Sequence, residues 1–231
     1  MLLSSAYFPP VEYFALLARD YIPGQPDRGF VIPSDTSVIP SEAEGSPTIY
    51  IDAHEHFQKQ TWRTRCRILG PNGPEILQVP IIHDGARQMR DIRVEYATPW
   101  IVRTERALDA AYRSSPFFEH YADGLFAILE SQPEKLLDLN LALTRHILGR
   151  LRIEVTLQPT ESYVPGGSLP DDFRDTLHPK RDNTVLRDLG LDRPYYQVFS
   201  QKFGFVPGLS ILDLLFNEGP DAVLWLLRKA G

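Results

Sequence analysis

A single cysteine, Cys66, stands in a chain of 231 residues. An internal disulfide framework of the kind that staples small secreted domains is excluded, and the cysteine usage fits a reducing compartment. Long apolar runs are also missing: no segment reaches the ~18 consecutive apolar residues of a membrane span. The start, MLLSSAYFPPVEYF, lacks a basic n-region and breaks its apolar run at Ser4 and Ser5, so it does not read as a signal peptide. The expectation is a cytoplasmic protein with no integral membrane contact. Basic charge is in deficit, with 24 Lys and Arg against 30 Asp and Glu and a formal net charge of −6. That argues against a broad nucleic-acid surface, and nucleic acid is not an expected partner. There is no GxSxG, GxxxxGK[ST], GxGxxG, HExxH or Cys-x-x-Cys. Hydrolase-elbow, phosphate-loop, dinucleotide-binding and zinc-protease readings therefore have no motif to rest on, and no cofactor is indicated.

What is present is globular in proportion, 43% apolar and 23% charged, at a length that suits one large domain. Leu2–Tyr7 reads as a first strand, the prolines at 9 and 10 as a turn, and Val11, Phe14, Leu17 and Ala18 as one face of a helix. Residues 23–47 carry five prolines, four serines and three glycines without periodicity, which predicts a flexible surface insertion. Thr48–Asp52 reads as a second strand. RTRCRIL and PEILQVPI flank a Pro-Asn-Gly turn, which predicts a β-hairpin at about 62–81. Met89–Tyr96 alternates like a further strand.

Three helical patterns follow. Thr98-Pro99 is expected to cap the first and Ser115-Pro116 the second, and EKLLDLNLALTRHILGRL forms the third. Ile153–Pro159 returns to strand. The last segment divides into two helical pieces at Gly219-Pro220. Strands on both sides of a helical block predict an α/β or α+β single domain over 1–231, with a mixed sheet packed against three or more helices.

The chemistry is densest in DAHEHFQKQTWRTRCRILGPNG, from Asp52 to Gly73. Along a strand, Trp62, Thr64, Cys66 and Ile68 should face one way and Arg63, Arg65 and Arg67 the other. Guanidiniums spaced about 7 Å apart repel unless an anion lies among them, and arginine grips carboxylate or phosphate with paired hydrogen bonds. An anion-binding strip assisted by Lys59 is one reading. A solvated strand face, or arginines paired with acidic residues from the helices, is the other. His54 and His56 would share a face, but no third ligand is signalled, so no metal site is expected. Cys66, on the apolar side, reads as a small buried hydrophobe. The loop DDFRDTLHPKR gathers Asp171, Asp172, Asp175 and His178, with His178 and Asp175 as candidates for general acid–base work.

LLSSAYFPPVEYFALL and EHFQKQTWRTRCRILGPNGPEILQVPI resemble the two N-terminal blocks of the WbqC-like protein family, and AYRSSPFFEHY and LSILDLLFNEGP extend the resemblance across most of the chain. Tyr7, Pro9, Tyr13, Lys59, Arg63, Arg65 and Asn72 fall at positions matching the family motifs. The sequence departs from the commoner pattern in SSAY, in HEH and in the proline-rich insertion. The resemblance implies a place in surface-polysaccharide (O-antigen) biosynthesis and transfer of glycine or a related aminoacyl group to a sugar. The expected function is a transferase for a small anionic or nucleotide-linked substrate. The alternative is a noncatalytic binding module for an acidic ligand or partner.

Overall fold

A computed structural model describes residues 1–19 and 47–227. The insertion expected at 23–47 lies, save for Pro47, outside them.

Two separate sheets are present among the described residues. Strands β1 (Leu2–Leu3), β2 (Thr48–Ile51) and β5 (Thr156–Pro159) form a parallel sheet in the order β1-β2-β5, with Leu3 opposite Ile51 and Ile51 opposite Pro159. Strands β3 (Arg65–Gly70) and β4 (Gly73–Gln78) form the antiparallel hairpin, with Arg65 opposite Gln78 and Gly70 opposite Gly73. Only Pro71 and Asn72 lie between the two hairpin strands, and Gly73 closes the turn at φ +113°, which a side chain would resist. The hairpin starts at Arg65 rather than Trp62, so Arg63 lies before the ladder.

Helix α1 (Val11–Ala18) is buried along all eight residues, Glu12 included. The sequence pattern shows one apolar face. The polar remainder is covered as well, because α1 packs against α5 (Val185–Asp188), α7 (Ile211–Glu218) and α8 (Ala222–Leu227). Met89–Asp91 is a 3-10 turn rather than part of a strand. Its amides donate to the carbonyls of Glu55 and Ala53, 3.0 and 2.9 Å away, which docks the fully buried Met89 in the core without a ladder.

Helices α2 (Trp100–Tyr112), α3 (Phe118–Glu130) and α4 (Leu136–Leu151) form the central helical block. At the start of α2, Thr98 donates its hydroxyl to Glu95 and leaves the helix N-terminus uncapped by side chain; Pro99 is the flanking residue. At α3 the flanking residue is Phe117, and Ser115 is buried before it. Arg152, in the left-handed conformation at φ 55°, ends α4. The final two helices are separated by a 3-10 turn over Gly219–Asp221, at the predicted break.

One set of backbone bonds joins the start of α1, the entry to α7 and the hairpin. The amide of Val11 donates to Leu209 O at 3.0 Å, Ile211 to Pro9 O at 2.8 Å, and Ser210 to Arg67 O at 2.7 Å. The start of α1, strand β3 and the residues entering α7 are thereby held at one place.

Candidate functional site

At that junction lies a cleft of about 460 Å3. The start of α1 supplies Glu12 and β3 supplies Arg67. The loop after β5 adds His178, Arg181, Asp182 and Asn183, and Pro207 and Gly208 close one side. Arg67 reaches Pro207 O at a long 3.4 Å, and among the described residues neither Arg67 nor Arg181 has a carboxylate within ion-pair distance. His178 accepts the Lys180 amide on Nδ1 at 3.1 Å, so the neutral ring carries its proton on Nε2 and offers a donor there. Partial burial, then the positive charges of Arg181, Lys180 and Arg63, push its pKa below the ordinary value, with Asp175 opposing. These effects favour the neutral imidazole. An uncharged donor and two unpaired guanidiniums suit a phosphate or carboxylate group.

The three arginines expected to form one strip are divided among different surroundings. Arg63, 5% exposed, is buried against Glu55, itself 7% exposed. Its Nε donates to Glu55 Oε1 at 2.7 Å, Nη2 donates to Glu55 Oε2 and to Ser4 Oγ, and Nη1 donates to Thr61 Oγ1 at 3.2 Å. Asn140 donates to the Arg63 carbonyl at 2.9 Å. Four hydrogen bonds hold this guanidinium, and Arg63 is an architectural residue because the chain has not yet entered the β3 ladder and turns its side chain inward. Arg65 donates to Gln78 Oε1 across the hairpin at 3.0 Å and lines a second cleft of about 300 Å3 with Lys59 and His83. Arg67 alone of the three reaches the junction cleft.

Asp175 lies apart from that cleft. It lines a third, also about 300 Å3, with Glu55, His56, Gln58, Tyr163 and Arg174. Buried charges crown the neighbouring C-terminal edge of the parallel sheet, the edge where open parallel sheets present ligand sites. Here Arg174 donates to the fully buried Asp52 and to Asp172, and Asp52 also receives the His54 amide at 2.9 Å. Those charges are mutually satisfied.

Tyr7 is fully buried against Phe8 and Trp100 and lines none of the three clefts. Tyr13 is buried, donating its hydroxyl to Ser4 O at 2.9 Å. Asn72 sits exposed at the hairpin tip, away from the clefts. His54 lies beside the Arg90 guanidinium, 3.5 Å away, and among the described residues no three His, Cys, Asp or Glu side chains converge as a metal site would require. Burial pushes the Cys66 thiol well above its ordinary pKa, which leaves no thiolate for chemistry. Glu12, Ser4 and Glu55 were not singled out from sequence. Glu12 is an acid inside an apolar helix pattern, and that mismatch is the signal that marks it.

A family model, the WbqC-like protein family, matches residues 46–175. The chain belongs to the WbqC-like protein family. The uncharacterized protein Rv1507c of Mycobacterium tuberculosis is 30% identical over 192 residues, covering 72% of this chain and 81% of the relative. No solved structure matches. The matched segment contains the hairpin, α2 to α4 and β5 but neither Glu12 nor His178. Among the described residues no helix is long and apolar enough to cross a membrane.

Proposed function

We propose that this WbqC-like protein is a transferase that holds an anionic donor or acceptor, such as an aminoacyl phosphate or a nucleotide-linked sugar, in the junction cleft during surface-polysaccharide assembly. The observation that carries this reading is the convergence of Arg67, Arg181 and the Nε2 donor of His178 on one cleft without an internal ion pair for either arginine. The contribution of these groups is positioning and stabilisation of negative charge on a departing or reacting phosphate or carboxylate.

A noncatalytic binding module is the second reading. It is favoured by two specific features: His178 presents a proton rather than a lone pair toward a ligand, and Asp175 lines a different cleft. Inorganic phosphate separates occupied from unoccupied anion sites. It should raise the melting temperature of the wild type, the shift should shrink with added salt, and Arg67→Ala should remove it. A shift that survives Arg67→Ala ends the reading of this cleft. Turnover with activated glycine or a nucleotide sugar then separates the two classes. In a binding module no turnover occurs, and replacing Asp175, which lines a different cleft, leaves fold and phosphate affinity within about threefold of wild type, whereas replacing His178 weakens phosphate by removing the Nε2 donor.

A further inference from the structure

Glu12 stands in the first turn of α1, 7% exposed, and its carboxyl lines the junction cleft. Part of its role is local, since its own backbone amide and the Asn183 side chain favour the ionised form. Oε2 is withdrawn from solvent with no hydrogen-bond partner among the described residues, and Oε1 is the oxygen that borders the cleft. Burial lifts the carboxyl above the ordinary range, and the Arg67 charge only partly offsets this. A carboxyl oxygen withdrawn from water and left unmatched is destabilising.

The nearest cation does not complete it. Glu12 and Arg67 form no ion pair, yet both heads border the space above Gly208: a Cβ placed on that residue would lie 3.7 Å from Glu12 Oε1 and 3.9 Å from Arg67 Nη1. Gly208 is held at φ +68°, where a side chain is disfavoured, so the space between acid and base stays open.

From this juxtaposition we infer that the cleft recognises an anion that also carries a hydrogen-bond donor, an amine or a hydroxyl, a few bonds from its charge. Arg67 takes the anionic group and Glu12 accepts the donor hydrogen. The inference rests on the anion-site reading above and adds the second half of the ligand.

Ethyl phosphate, phosphoethanolamine and phosphocholine test it by titration calorimetry at pH 8 on the full chain. They share the phosphate ester, and only phosphoethanolamine carries N–H hydrogens. Phosphoethanolamine should bind about tenfold or more tightly than either of the others. Glu12→Gln should bring it to within about twofold of ethyl phosphate, and Arg67→Ala should weaken all three. If ethyl phosphate binds through Arg67 but phosphoethanolamine gains nothing, or keeps its advantage in Glu12→Gln, the role of Glu12 is overturned and the anion site stands. If no probe shows Arg67-dependent binding, both are overturned. Should Glu12→Gln fail to fold, the ranking of the three probes on wild-type protein still decides.

Discussion

Removing the Arg63 guanidinium would strand Glu55, which is 7% exposed and receives Arg63 through both carboxyl oxygens. An uncompensated buried charge costs about 3–5 kcal/mol, so Arg63→Ala should lower unfolding free energy by that amount in urea titrations. Arg65 and Arg67, half-buried and free of ion pairs among the described residues, should each tolerate alanine within about 1 kcal/mol. Alternate residues on one stretch of chain therefore separate into architecture and candidate ligand contacts. A loss of several kcal/mol on Arg67→Ala would place that side chain with Arg63 as part of the framework.

At the scale of elements, the break between α7 and α8 is set by Gly219. Its φ is +55°, and an added Cβ would sit 2.5 Å from the Phe117 ring. Phe117 in turn donates its amide to Phe216 O at 3.1 Å, so the ring is anchored by its own backbone and cannot easily withdraw. Gly219→Ala combines left-handed strain with overpacking and should cost about 2–4 kcal/mol, read as a lower urea midpoint with an unchanged slope. The hairpin register is fixed by a two-residue turn, which is why Arg65 meets Gln78 and Arg67 projects to the junction.

For the molecule as a whole, Asp213 links stability to pH. It is 1% exposed in α7, and burial raises its carboxyl from 3.8 to about 6, against weaker opposing effects of Tyr195, Tyr112 and Gln197. The folded state binds this proton more tightly than the unfolded chain. The stabilising contribution is complete below about pH 4 and is lost as pH rises through about 6. The shift corresponds to about 3 kcal/mol. Asp213→Asn should remove this component, so that the difference between wild type and variant in urea titrations grows in the variant's favour from pH 4 to pH 7. An unchanged difference across that window would mean that Asp213 titrates normally.

The hairpin, the helical block, the break at Gly219-Pro220 and the family resemblance were legible in the sequence, because turn chemistry, helical spacing and motif order are local properties of the chain. Cys66 as a buried hydrophobe was legible for the same reason, from its place on the apolar side of β3. The partners of the charged residues were not. Alternation puts Arg63, Arg65 and Arg67 on one face only if all three lie inside a ladder, and the ladder begins at Arg65. Glu55 is eight residues from Arg63 in sequence, but Asp52 and Arg174 are separated by 122, and Arg67 meets Pro207 across 140. The sequence by itself determined the local elements and the types of charged group available. Only tertiary structure decided which charges are buried in pairs and which are left facing a cleft, because ion pairing and desolvation depend on distances between segments that local patterning does not encode.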